Sequence, residues 1–471
     1  MSMLAAALFI GSQACAPCHP QIAESYVRTP MARSSGVALP LPAASFTASK
    51  QRYKVEGKTL HFEGGKATID YFIGSNSEGR SYLHSHDGYL FELPVTWYVR
   101  KKAWDASPGY EGFSEVKLNR AVEPACLLCH SSQVRPVLGT QNRYGDPPFL
   151  EGGVSCERCH GPGSEHVRAP REVRMVNPSN LDYARRDSVC SQCHLAGEAR
   201  IDLPGRRFAE FQAGQLLSSY ATYFVWSLGR TDLKVTSHVE KLAASRCKQA
   251  AGGALWCGSC HDVHTDTDKS QQACLSCHAL AHRKDEQCAS CHMPKTRAVD
   301  ANHGVMTDHS IPRAPRRSEP PRQSGLVAFL GNADERSLGL AYAELGDSRA
   351  REHLLRAKPI DWRVTLRLAV SEQDPARAAA LYESVLKENP GEPAALVNLG
   401  GLYAAVGRTK EAANLWTRAL EANAAIEEAV LNLSQVLPSR KAEELLKRYL
   451  SMNPSSSAAR ARLAQKQRGR D

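Results

Sequence analysis

Between residues 45 and about 100, apolar and polar side chains alternate. The runs "RYKVEGKTLHFEGG" (52–65) and "ATIDYFIG" (67–74) switch at nearly every second residue and are broken by glycines. "GYLFELPVTWYV" (88–99) is rich in β-branched and aromatic residues. A period of two between glycine breaks predicts a small antiparallel sheet. "KKAWDASPGYEGF" after it reads as an ordered loop. Beyond residue 325 the period becomes that of paired helices. In "LVNLGGLYAAVGRTKEAANLWTRALEANAA" (396–425), Leu399, Gly400, Tyr403, Gly407, Ala412, Trp416 and Ala419 fall at the small and large positions that let two helices pack. Stepping back by 34 residues gives Trp362, Ala369, Ala378, Tyr382 and Pro390; stepping forward gives Val430 and Leu433, then a shortened turn before "KAEELLKRYLSMNP". This is the tetratricopeptide period. With a degenerate copy at 335–357, it predicts an α-solenoid of three to four repeats over 326–460, followed by a basic tail at 461–471. Such repeats either dock a partner or pack against the rest of the chain, and the pattern leaves both open. "IPRAPRRSEPPRQSG" (311–325) has four prolines and no periodicity, and reads as a linker.

From 121 to 310 neither period holds, and cysteine takes over. The chain has 15 cysteines, and fourteen of them fall into one word, Cys-x-x-Cys-His. Its copies are Cys15, Cys18 and His19; Cys126, Cys129 and His130; Cys156, Cys159 and His160; Cys190, Cys193 and His194; Cys257, Cys260 and His261; Cys274, Cys277 and His278; and Cys288, Cys291 and His292. Zinc takes ligands in fours and has no use for a histidine after every pair. A redox dithiol occurs once, beside a βαβ pattern. Disulfides leave the histidines unexplained. Covalent c-type haem uses every element: two thioether links to the porphyrin, and the next imidazole as proximal iron ligand. Seven words predict seven haems. Residues 1–310 then offer about 44 residues per haem (310/7), too few for an ordinary core. The porphyrins themselves are expected to fill the interior of a domain spanning 15–310. The fold class expected for the whole chain is mainly α: short helices and loops around a haem-filled core, the small inserted sheet, then the solenoid.

Of 17 histidines, seven are proximal, which leaves ten. The candidate distal ligands are His84 or His86, His166, His238, His264, His282, His303 and His309. Two imidazoles per iron give a six-coordinate haem suited to electron transfer. His166 and His264 lie just beyond a proximal histidine and are expected to reach a neighbouring haem. His61 alternates with apolar residues in a strand, and His353 lies among the repeats; neither is expected to ligate. Met31, Met293 and Met306 are read as packing residues, as is the odd thiol, Cys247. The first haem, at His19, is the candidate for an open iron.

The net charge is +10, but haem propionates offset it, no nucleic-acid motif is present, and nucleic acid is discounted as a partner. The start has a short apolar run, Leu4 to Ile10, with no basic residue before it. It reads as a weak or remnant signal segment over 1–14, with the mature chain opening near Gly11. Export to the periplasm or beyond is nonetheless expected, because haem is joined to this word outside the cytoplasm. No stretch is long and apolar enough to span a bilayer.

At "GVSCERCHGPGSEHV", "LWCGSCHDVH" and "CASCHMP…HGVMTDHSIPR" the chain resembles exported multihaem cytochromes c related to cytochrome c-554, the tetrahaem partner of hydroxylamine oxidoreductase. The resemblance covers most of residues 11–310, with separate repeat similarity from 330 to 460. It implies electron transfer, in some relatives alongside reduction of nitrogen oxides. Seven words exceed the tetrahaem type, and no Cys-x-x-Cys-Lys variant marks a catalytic haem. Three functions follow: a wire between redox partner proteins, an oxidoreductase with one open iron acting on a small nitrogen or sulfur compound, or a scaffold organised by the repeats. Ligand counting favours the wire, and no catalytic residue is assigned.

Overall fold

The computed structural model describes residues 8–113, 115–227, 232–278, 287–301, 303–313 and 324–468. The alternating region builds two antiparallel sheets rather than one. Strands β1 (Ser35–Val37), β6 (Tyr71–Ile73), β7 (Gly79–His86), β8 (Tyr89–Tyr98) and β9 (Ala103–Ala106) form the first. Strands β2 (Leu41–Ala48), β3 (Gln51–Gly57), β4 (Thr59–Phe62) and β5 (Gly65–Thr68) form the second. Val55 and Leu60 from one sheet share a core with Leu93 and Val95 from the other. Trp104 joins them, stacked on Phe46 at 5.4 Å between ring centroids. The expected loop at 101–113 supplies β9 and this tryptophan, because an apolar ring on an outer strand seals the space between two sheets.

The expected helix-dominated fold holds only loosely. Six sheets occur among the described residues, and helices dominate only from residue 335 onward. Leu326–Leu330, placed with the repeats by sequence, is a strand paired with Ala221–Trp226, which pairs in turn with Ala199–Asp202. An apolar run beside an open strand edge is most cheaply satisfied by joining it.

The helical part consists of the pairs Glu335–Glu344 with Ala350–Arg356, Trp362–Val370 with Pro375–Glu388, Pro393–Ala405 with Thr409–Ala422, and Glu427–Val436 with Ser439–Met452. A last helix, Ser457–Arg468, runs through the stretch read as a tail. The small-to-large logic is literal at Gly400: a Cβ there would lie 2.5 Å from Trp416 Nε1, which donates to Val397 O at 3.2 Å.

The solenoid lies along the β-rich region by the turns between its helix pairs. Gln141 N donates to Ala422 O (2.9 Å) and Tyr89 Oη to Glu421 O (2.7 Å). Leu118 N donates to Asn453 Oδ1 (3.1 Å), and Arg448 pairs with Asp87 (3.2 Å). Val370 and Val406, at the turns within the second and third pairs, are exposed. Gly391 is a tight approach of backbone to backbone, since a Cβ would stand 2.7 Å from Gly139 O. Gly391→Ala is therefore expected to cost about 1 kcal/mol or more. Gly401→Ala, on an open helix face, should instead stabilise by about 1 kcal/mol. Denaturant titration of both variants checks the contrast.

Candidate haem-binding site

Each of the seven words contributes to the wall of one continuous cavity of about 4100 Å³, and of the fourteen word cysteines only Cys126 is off it. That is about 590 Å³ per word (4100/7), within the roughly 300–1,000 Å³ typical of a single cofactor pocket. The words sit on single helical turns such as Cys156–His160, Cys257–Cys260 and Cys288–His292, or at the ends of longer helices, Tyr183–His194 and Ser270–Cys277. In the first word, His19 N donates to Cys15 O at 2.9 Å. One turn brings residues i, i+3 and i+4 to the same side, so in six of the words both thiols and the imidazole face the cavity together. The thiols spread along its wall, and among the described residues no three metal-ligating side chains converge as a bare metal site would need.

Different words, three of the four pairs far apart in sequence, meet through their thiols. Cys15 faces Cys156, Cys129 faces Cys193, Cys190 faces Cys257, and Cys274 faces Cys288. Burial, reinforced by the facing Cys156, pushes Cys15 up to about 11, and burial alone does most of the same at Cys159. The hydrogen bond from Cys193 instead draws Cys129 down to about 7. Cys18, Cys126, Cys277 and Cys291 are exposed.

The imidazoles pair across the cavity. His160 and His264 are 6.0 Å apart between ring centroids with planes within 10°. His261 and His309 are 6.3 Å apart; His194 and His238 meet edge to face at 5.1 Å, and His238 also stands 4.8 Å from His309. Two imidazoles bonded to one metal from opposite sides, at about 2 Å per bond, have centroids about 6 Å apart. His264 thus lies against His160, the histidine of the third word, and not against His261 of its own. Carbonyls fix the tautomer at four rings. His160 Nδ1 donates to Val176 O (2.6 Å), His166 Nδ1 to Val173 O (2.6 Å), His309 Nδ1 to Thr307 O (3.0 Å) and His292 Nδ1 to Pro312 O (3.1 Å). A carbonyl can only accept, so Nε2 of each neutral ring keeps its lone pair for a metal. The wall also carries buried Lys241, 6% exposed, and Arg158. These suit a cofactor with carboxylates, and pairing of this kind fits a porphyrin bearing propionates.

Three of the candidate distal histidines lie elsewhere. His84 on β7 is buried, with Nδ1 2.9 Å from Thr68 Oγ1 and 3.5 Å from Asp70 Oδ2. His86 sits beside Asp87 on the same strand. His303 donates Nε2 to Asp105 Oδ2 at 2.9 Å and meets Tyr98 edge-on. Sheet residues next to polar partners satisfy these rings locally, which the local sequence could not reveal. His282 lies outside the described residues. His61 is in β4 near Glu56, and His353 bonds Glu335 among the repeats. Met31, Met293, Met306 and Cys247 do line the cavity.

Burial holds two imidazoles neutral: His194 is lowered to about 4 and His238 to about 3, neighbouring histidines adding to the effect. The unfolded chain would bind protons at these positions near the ordinary value of about 6.5. It therefore binds more protons than the fold as pH drops, and stability is lost with acidification from about 6.5 toward 4. In the haem-free polypeptide, where neither ring is held by a metal, circular dichroism of thermal melts across that window should show Tm falling as pH drops, and His238→Leu should flatten the slope.

Residues 99–161 match the family described as cytochrome c554 and c-prime, and residues 369–436 match a tetratricopeptide repeat. The first of these matches takes in two of the seven words, those at Cys126 and Cys156. The chain is 26% identical over 186 residues to the multiheme cytochrome MtrA of Shewanella baltica (strain OS185), covering 36% of this chain and 56% of that protein. It therefore spans about half the length of this curated relative. Among solved structures, the outer cell wall cytochrome OcwA is 14% identical, with a TM-score of 0.45 over 88% of this chain and 99% of that one. A point mutant of MamA is 25% identical over 29% of this chain and 87% of its own, with a TM-score of 0.26. The relatives of the word-bearing part are thus multihaem cytochromes by description, and those of the C-terminal part tetratricopeptide-repeat proteins. Among the described residues no helix is long and apolar enough to cross a membrane.

Proposed function

We propose that this multihaem cytochrome holds seven covalent haems and passes electrons between redox partner proteins, outside the cytoplasm, in the periplasm or at the cell surface. When bound, haem supplies a reversible one-electron change at iron. The chain's own residues attach it through the fourteen word cysteines, ligate it through His19, His130, His160, His194, His261, His278 and His292, and exclude water around it. The observation that carries this reading is the single cavity onto which all seven words open, with thiols of different words in contact. Cofactors so tethered would lie close together, as electron hopping requires. His264, His309 and His238 are the distal ligands for the third, fifth and fourth words, and His166 serves another. His84, His86 and His303 are structural.

That arrangement also favours a second reading. Among the described residues the cavity offers four distal imidazoles, His166, His238, His264 and His309, to seven words. An iron left without a second imidazole would suit small-molecule chemistry on a nitrogen or sulfur compound. Iron analysis and intact mass of protein from a haem-maturing host should give seven haems per chain. Paramagnetic resonance then separates the readings. Low-spin ferric signals alone favour the wire. A stoichiometric high-spin signal that shifts with nitrite, hydroxylamine or cyanide favours the enzyme, and a colourless protein of bare polypeptide mass excludes both.

A further inference from the structure

We propose that Glu157, inside the third word, is a positioning residue that straps the first word against the third. The idea rests on reading both words as haem sites. Glu157 is 1% exposed, and backbone N–H groups surround its carboxylate. Oε1 accepts from Ile10 N (3.0 Å) and Gly163 N (2.8 Å), and Oε2 from Ile10 N (3.0 Å) and Gly11 N (2.8 Å). A buried carboxylate held by several N–H groups is a strong, charge-assisted anchor.

The rest of the segment is fastened in the same direction. Leu8 N donates to Ser164 Oγ (2.8 Å), and Ser164 N donates back to Leu8 O (3.1 Å). Ser12 N donates to Glu151 Oε2 (2.8 Å), while Ser12 Oγ accepts from Cys156 N (3.1 Å). Residues 8–12 therefore cross the third word from one end to the other. One 3-10 turn later, Ser12–Ala14, the chain delivers Cys15 to Cys156. Two glycines permit the fit. Gly11 has φ +85°, and a Cβ on Gly163 would press within 3.2 Å of both Glu157 Oε1 and Ile10 Cδ1. Residues 8–12, read from composition as the end of a signal segment, are in contact with the third word. Their task is to fix the first cofactor relative to the third.

The test uses the holoprotein. Glu157→Gln keeps the shape but turns one oxygen into a donor facing an N–H group. Amide exchange at Ile10 and Gly11, followed by mass spectrometry, should accelerate about tenfold, the effect of losing one charge-assisted hydrogen bond. Magnetic interaction between the ferric haems of the first and third words should weaken, with the other signals and the iron content unchanged. Glu151→Gln, which frees only Ser12 N, should give a smaller effect of the same kind and serves if the first variant fails to mature. Wild-type exchange and wild-type coupling in both variants would overturn the proposal. Should the wild type prove haem-free, the functional reading falls, and the exchange measurement still judges the strap.

Discussion

Replacing His264 with alanine should convert one haem of the oxidised protein, and only one, from low spin to high spin. The affected haem should be the one attached at Cys156 and Cys159, not the one three residues upstream of the mutation at His261. The rings of His160 and His264 are 6.0 Å apart and nearly parallel, the separation of two imidazoles sharing a metal. His261 instead has His309 across from it at 6.3 Å. His309→Ala should therefore produce a second, separate high-spin centre, and the double variant should show both, because the pairs share no ligand. Added imidazole should restore the low-spin signal in each. Paramagnetic resonance with integration against iron content reads the result. An unaltered spectrum for His264→Ala, or one high-spin centre common to both variants, would contradict the pairing.

Arg336→Met should unfold the repeats early, at a cost of about 3 kcal/mol, the size expected when one member of a buried ion pair is removed. The Arg336 side chain is fully buried. Its Nε and Nη2 donate to Asp361 Oδ2 at 3.0 and 2.5 Å, and Nη1 donates to Asp202 O at 3.1 Å. One guanidinium thus joins the first helix pair, the start of the second and the strand Ala199–Asp202. Asp361 also caps the helix Trp362–Val370 through Val364 N, so losing its partner disturbs that cap as well. Lysine should not rescue, since a single ammonium cannot serve both directions of the planar fork. Chemical denaturation monitored by far-ultraviolet circular dichroism should show a separate early transition, with the haem spectrum changing only later. A single unshifted transition would show that the solenoid is held elsewhere.

What the sequence reveals follows from how far each interaction reaches. The haem words are legible because two thiols and an imidazole must lie on one helical turn, and one turn is five residues of sequence. The repeats are legible for the same reason: Gly400 and Trp416 meet within a single helix pair. The distal ligands are different. Whether His264 or His303 reaches the cavity depends on contacts with distant segments, and Asp105 claims His303 from far away in the chain. The second sheet is hidden because alternation marks strands without saying which pair, and Trp104 falls in a stretch that reads as loop. Residues 8–14 look like part of a leader by composition alone; only Glu157, between two cysteines of a word, shows what they touch.

The manner in which the repeats are seated has a mechanical consequence. Turns at 389–393, 421–425 and 453–455 touch the β-rich region at intervals along the solenoid, while Val370 and Val406 look outward from the opposite rim. A body braced at several points cannot swing. A partner docked on that rim would be held at a constant stand-off from the cavity, by a ruler and not a leash.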